Sequence, residues 1–340
     1  MSAIAVIPGL DPANYARHSL HGEHCAWVEK NCYIDLWIEL LHALKLEPLA
    51  MLPFTAAIDF EDDQWTFFKP SHDELRSLYG VDVQELTVWR PLIEHAAEHL
   101  AAGKLICAEA DAWWLPDTAG TDYRRQHTKT TIVMNDIDVA GRTLGYFHNA
   151  GYFRLAGEDF TKTFRLDAAP DPAFMPLFAE LVRIDRAVAR EAGELVNHSR
   201  ALWRHHLQRR PRDNPVLRFR SRFERDMPRF QENGLPYYHA WAFSTTRQLG
   251  AAFELAALNL QWLNVDTDPH ITRASEAFAQ ISTAAKSFIL KGARMANSHR
   301  PLDASAVFEQ MATAWEAGMY AADMAFGRSA ATDVELRAAN

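Results

Sequence analysis

Cysteine is scarce in this chain: Cys25, Cys32 and Cys107 are the three thiols in 340 residues. An odd, small number cannot form the framework of a disulfide-stapled secreted protein, so free thiols in a reducing cytoplasm are expected. Basic charge is also short. Lysine and arginine total 35 against 44 aspartates and glutamates, a formal net charge of −9. That balance excludes a general nucleic-acid binder, which needs a basic face. No apolar run approaches transmembrane length, so no membrane partner is expected. The first residues, Met1-Ser-Ala-Ile-Ala-Val-Ile-Pro-Gly, have no basic stretch before the apolar run and no cleavage-like site after it, so no signal peptide is read. No glycine-rich phosphate loop and no internal repeat is present. What remains is ordinary globular composition, 48% apolar and 23% charged, in a chain long enough for two domains.

The most informative stretch is Glu29-Lys-Asn-Cys-Tyr-Ile-Asp-Leu-Trp-Ile-Glu-Leu-Leu-His-Ala-Leu44. Ile34, Trp37, Ile38, Leu41 and Leu44 recur at steps of three and four and so share one helical face. Asn31 is placed to cap the first turn. Cys32 then opens the helix, near the positive end of its dipole, a field that favours thiolate over thiol. A cysteine opening a buried helix is the geometry of a papain-like nucleophile; the competing reading is a small buried apolar residue.

Before that helix, His18, His21 and His24 recur at steps of three with Cys25 adjacent. Gly22 interrupts any helix there and the second half of a metal-ligand pattern is missing, so no metal site is assigned. After the helix, Ile58 to Lys69 ends in aromatic and β-branched residues that suit a strand. Within it, Gln64 is a candidate oxyanion-hole amide, or a loop glutamine. Ser71 and Glu74 form a capping box for a short helix stopped by Gly80. Val81–Trp89 alternates as a strand, and Pro91–Ala102 reads as an amphipathic helix ended by Gly103. Lys104–Leu115 is a largely buried strand, with Cys107 in the core. Glu109 and Asp111 point to one face, where one of them is placed to orient a cation or substrate amine.

A hairpin follows. His127 opens its first strand, Val139–Arg142 closes it, and Thr143–Asn149 returns. That pairing places His127 near His148 and Asn149, a base beside a group that fixes its tautomer. A surface hairpin with incidental polar ends is the alternative. From Pro170 onward the signals are helical and no further strand is evident. Arg209, Arg210, Arg212, Arg218, Arg220, Arg222 and Arg225 form a basic cluster, either a solvated face or a dock for an acidic partner or a phosphate. A helix beginning at Pro236 puts Tyr238 and, more loosely, Arg247 on faces that either line a substrate pocket or pack in a bundle. Ile271–Lys291 and Pro301–Met324 supply two more amphipathic helices, and a tail follows Gly327.

The order of these parts resembles the amino-terminal domain of the butirosin-type acyltransferases. Cys32-Tyr-Ile-Asp-Leu-Trp-Ile-Glu-Leu-Leu resembles their nucleophile helix, Asp111-Ala-Trp-Trp-Leu-Pro their aspartate-aromatic-leucine-proline segment, and His127 with its apolar strand their histidine strand. Asn149 falls where those enzymes carry an aspartate, and Asn31-Cys32 stands where they show His-Cys. The region covered is about residues 18–155. The wording of Asn31–Glu39, Asp63–Lys69 and Tyr146–Tyr152 is similar to a bacterial family, domain of unknown function 1839, whose members tend to be encoded near amino acid:carrier-protein ligases. The resemblance implies a papain-like cysteine fold and an acyl or aminoacyl carrier protein as partner. The thioester on its phosphopantetheine arm would be donor, with a small-molecule amine or other nucleophile as acceptor.

The expected architecture is therefore α+β: a papain-like domain over residues 1–165, an all-helical domain over 170–328 and a tail over 329–340. The expected function is cysteine-dependent acyl transfer. Cys32 is the nucleophile, His127 handles the proton, and Asn149, assisted by His148, orients His127. No bound cofactor is expected. A cysteine hydrolase of thioesterase or amidase type, and a non-catalytic carrier-protein or ligand-binding module with a decayed site, are the alternatives.

Overall fold

A computed structural model describes residues 5–169, 171, 173–298 and 302–327; the tail at 329–340 lies outside the described residues. The chain divides into two compact units. The first comprises residues 1–22, 31–48 and 71–190, and the second 23–30, 49–70 and 191–340. The fold is mixed α+β, with a sheet-based first unit and a helical second unit.

The first unit is built on a six-stranded antiparallel sheet. Its strands are β1 (Asp82–Glu85), β2 (Leu105–Asp111), β3 (Lys129–Asp138), β4 (Thr143–His148), β5 (Gly151–Ala156) and β6 (Ala179–Arg183). They lie in the order β1-β6-β2-β3-β4-β5. The last strand corrects the expectation of a purely helical region after Pro170. β6 is only five residues long and inserts between β1 and β2, so its pairing is set by distant partners rather than by local pattern.

Four helices pack on this sheet: α1 (Cys32–Ala43), α2 (His72–Tyr79), α3 (Leu92–Ala101) and α4 (Gly157–Thr163). Each short helix has a local cause. Asn31 Oδ1 accepts from the N–H groups of Tyr33 and Ile34 at 3.1 and 2.9 Å, and thus caps α1. Ser71 and Glu74 complete the capping box of α2, and Gly80 ends it at φ +69°, where a side chain is disfavoured.

Side chains alternate across the sheet, so register sorts its residues between two faces. Glu180, Cys107, Val133, Phe147 and Tyr152 are successive cross-strand partners and share one face. α1 covers that face: Tyr33 reaches Glu180 at 2.9 Å, and Tyr15, bonded to Glu39, lies against Phe147 and Tyr152. The opposite face carries Ile106, Ala108, Ile132, Met134, Leu144 and Tyr146, packed under α3 and α4.

β3 bulges between Met134 and Asp136. There Asn135 reads the backbone of Ile7, accepting from its N–H at 2.7 Å and donating to its carbonyl at 3.0 Å. Asp136 accepts from the Tyr152 hydroxyl at 2.5 Å directly over Gly145. A Cβ at Gly145 would fall 1.9 Å from Asp136 Oδ2 and 2.0 Å from the Tyr152 oxygen. Gly145→Ala is therefore expected to destabilise the first unit by about 1–3 kcal/mol in chemical denaturation. A change under a few tenths would show that this network yields freely.

The second unit holds α5 (Ala192–Arg209), α6 (Pro215–Ser244), α7 (Thr246–Leu263), α8 (Pro269–Ser298) and α9 (Ser305–Phe326). Its helices pack around Phe219, Phe223, Phe230, Trp241, Phe288 and Phe308, whose rings meet edge-on, stacked or tilted. α6 breaks at Gly234 (φ +73°, ψ −165°), and Pro236 opens the segment beyond it. Two segments distant in sequence are tied in. Ala26 and Trp27 donate their N–H groups to Glu254, and Trp27 lies so close to Gly250 that a Cβ there would come within 2.4 Å. The expected strand at 58–69 is only a two-residue hairpin, Phe60–Glu61 with Gln64–Trp65, packed on Phe219. Among the described residues no helix is long and apolar enough to cross a membrane.

Candidate active site

Cys32 is the first residue of α1, half-buried, directly after the Asn31 cap. The other two thiols, Cys25 and Cys107, are buried, and none of the three forms a disulfide. Among the described residues Cys32 Sγ has no hydrogen-bond partner. A Cys–His contact joins neighbours in the second unit, Cys25 Sγ and His24 Nε2 at 3.6 Å.

His127 lies two residues before β3 rather than within it. Its Nδ1 meets Asp111 Oδ2 at 2.6 Å, and its ring stacks on Trp113 with centroids 4.5 Å apart. Asp111 is itself held, because its Oδ1 accepts the Trp113 N–H at 3.1 Å at the start of a short 3-10 turn. Asp111 stands four residues from Cys107 along β2, so both project to the face that α1 covers. An imidazole fixed at Nδ1 by a carboxylate presents Nε2 as its working nitrogen.

The partner expected for His127 was Asn149, and here the structure differs. His148 pairs with Gly151, so Asn149 is spent in the two-residue turn between β4 and β5, with φ +43°. Thr131, the β3 residue that β4 register places opposite Asn149, is four positions from His127, about 13 Å along a strand. His148 does not assist either. It belongs to the α3/α4 face, buried, with Nδ1 on Asp117 at 2.5 Å and Nε2 on Thr130 at 2.7 Å. Asp117 also accepts from the Tyr146 hydroxyl. Burial first, then the Asp117 charge, raises the Tyr146 pKa.

A second acid–imidazole pair lies against the first turn of α1 and was not legible in the sequence. Glu180, almost wholly buried on β6, accepts from the Tyr33 hydroxyl at 2.9 Å and meets His72 Nε2 at 3.1 Å. Burial pushes the Glu180 carboxyl up, yet the hydrogen bonds from His72 and Tyr33 outweigh it and hold the pKa below the ordinary value. Burial, reinforced by the fields of Cys107 and Glu180, raises that of Tyr33.

The three spaced histidines do not converge. His18 Nδ1 accepts from Leu20 N–H, His21 is held by Asp35 and Glu39, and His24 sits beside Cys25. Gln64, Tyr238 and Arg247 belong to the second unit. Gln64 is exposed on the hairpin; Tyr238 is fully buried, donating to the Ile289 carbonyl at 3.1 Å, so it packs in the bundle instead of lining a pocket. Arg247 donates to the Glu29 carbonyl and covers the Phe243 ring at 4.2 Å. Of the basic cluster, Arg210, Arg218, Arg220 and Arg222 are each ion-paired within the unit, to Asp323, Asp59, Glu224 and Asp226.

Family models match nearly the whole chain: the DUF1839 N-terminal domain over residues 16–184 and the DUF1839 C-terminal domain over residues 192–323. The chain therefore belongs to the DUF1839 family, and the boundary between those matches falls just after β6. No curated protein matches it.

Proposed function

We propose that this DUF1839 member is a cysteine-dependent acyltransferase, with Cys32 as nucleophile and His127, oriented by Asp111, as the proton-handling base. The observation that carries the reading is the Asp111–His127–Trp113 arrangement, on the sheet face covered by the helix that Cys32 opens. In the first step the Cys32 sulfur attacks a thioester carbonyl, and the departing thiol leaves with a proton. In the second, an amine attacks the enzyme-bound thioester, His127 Nε2 accepts the amine proton, and Cys32 is released. Thiol and imidazole are not hydrogen-bonded in the free protein, and catalytic contacts of this kind commonly tighten only when substrate is present.

The resemblance to the butirosin-type enzymes supports a papain-like arrangement and an acyl or aminoacyl carrier protein as donor, in a reducing compartment. A half-buried thiol at a capped helix start also suits a hydrolase, with water as acceptor, and the acceptor assay separates the two.

Intact mass after incubation with an aminoacylated carrier protein tests the reading. Wild type should gain one acyl mass that hydroxylamine removes, and Cys32→Ala should gain none. Cys25→Ala is the necessary control, given the His24–Cys25 contact. Acylation that survives Cys32→Ala but is lost in Cys25→Ala would overturn the assignment, as would no adduct at all in wild type.

A further inference from the structure

A cavity of about 400 Å³ lies within the first unit, bounded by the start of α3 and the segment after α4. Its wall residues Val88, Leu92 and Phe164 pack against the core on the α3/α4 side of the sheet, so it is separate from the face that carries Cys32 and His127. The volume is that of a small-molecule site.

Two features of the wall define what fits. First, large aromatic rings remain in water at the cavity: Trp89 is 76% exposed and Phe174 42% exposed. Flat apolar surface of this kind stacks well on another ring. Second, the two guanidinium groups of the wall differ. Arg90 is already neutralised by Glu94 and Glu98. Arg165 lies over the Phe174 ring at 3.9 Å, and among the described residues its guanidinium has no ion pair or hydrogen bond.

We propose that this cavity binds a small aromatic carboxylic acid, its ring against Phe174 and Trp89 and its carboxylate on the Arg165 guanidinium. A monoanion suits the wall better than a phosphate. Among the described residues the wall offers one unpaired cation, and the Asp171 carboxylate, which caps a turn by accepting from Ala173 N–H at 2.9 Å, would repel a dianion. An α-amino group beside the ligand carboxylate would meet Asp171 favourably, so aromatic amino acids fall within the same class.

Ligand-observed NMR and calorimetry on the full chain test this with 3-phenylpropionate, its uncharged amide, phenylalanine and phenyl phosphate. Saturable binding of the acid is expected, with the amide and the phosphate each at least about tenfold weaker, the amide because a hydrogen bond between charged groups is lost. Phenylalanine against phenylpropionate reads the contribution of Asp171. Arg165→Gln should weaken the acid about tenfold and leave the amide unchanged, with circular dichroism confirming the fold. Phe174→Leu should weaken both. Equal binding of acid and amide, indifference to Arg165→Gln, or no binding at millimolar ligand would each overturn the proposal. None of these outcomes bears on Cys32.

Discussion

Asp111→Asn should lower the rate of acyl transfer about a thousandfold while Cys32 still reacts with a small thiol-directed electrophile. The substitution keeps size and shape, so Asn Oδ1 can continue to accept the Trp113 N–H. What changes is the atom facing His127. A carboxylate oxygen accepts from Nδ1–H and so keeps Nε2 free to take a proton. An amide nitrogen donates instead, which turns Nδ1 into the acceptor and places the proton on Nε2, where the base is needed. The stack on Trp113 holds the ring in position meanwhile, so the loss is of tautomer and charge rather than of place. Single-turnover acylation and aminolysis, measured separately, locate the defect.

The same experiment discriminates between the histidines. His127→Ala should be at least as impaired as Asp111→Asn, with a loss of about 10²–10⁴. Asn149→Ala should transfer acyl groups near the wild-type rate, because Asn149 occupies a hairpin turn and not the His127 ring nitrogen. An Asn149 variant as impaired as His127→Ala, beside an unaffected Asp111→Asn, would sink the Asp111 assignment. His72→Gln adds a further axis. It touches Glu180 and the hydroxyl of Tyr33, the residue after Cys32, so it should alter acylation more than aminolysis.

The sequence makes the Cys32 end of the candidate site legible because it is local. A cap, a cysteine and an apolar stripe lie within one helix, and α1 begins at Cys32 as the spacing predicts. Strand alternation likewise places Glu109 and Asp111 on one face. The failures concern residues whose partners are fixed by register and turns. The hairpin of β3 and β4 closes where expected, but β4 turns again at once into β5, which removes Asn149 from the opening strand. Parity then sends His148 to the opposite face from Asp111, a consequence readable in principle once Cys107, Val133 and Phe147 are aligned. Glu180 was beyond reach. It acquires meaning only when β6 inserts beside β2, some 70 residues away in sequence, and no local pattern announces that pairing. The units interleave for the same reason: residues 23–30 and 49–70 join the helical unit through contacts such as Trp27 with Gly250 and Asp59 with Arg218.

His21→Ala should destabilise the first unit by about 3–5 kcal/mol, enough to threaten folding at physiological temperature. His21 is fully buried between two buried carboxylates of α1, with Nε2 on Asp35 at 3.0 Å and Nδ1 on Glu39. Both ring nitrogens face acceptors, so the imidazole serves as a doubly donating cation that neutralises charge deep in the unit. Glu39 gathers further donors, the Tyr15 hydroxyl at 2.7 Å and the His18 N–H at 3.0 Å, which bind the segment before α1 onto the helix. Burial alone would raise the Glu39 pKa; the hydrogen bond and charge of His21, with the Tyr15 and His18 bonds, hold it below the ordinary value. In the wild type the unfolded chain thus binds that proton more tightly. This share of stability is complete near neutrality and is lost as pH falls from about 4.3 through the folded pKa, with Glu180 acting in the same sense. Removing His21 reverses the sign. Glu39 would then be desolvated without its cation, its folded pKa would rise above the unfolded one, and the variant should gain stability on acidification from about pH 5.5 to 4.5, below the range in which unfolded-chain histidines take up protons, where the wild type does not. Urea titrations of both proteins across that range measure the difference. A His21→Ala protein that loses less than about 1 kcal/mol and shows no inverted pH slope would mean that Asp35 and Glu39 find other partners, and that His21 is not the charge on which α1 is seated.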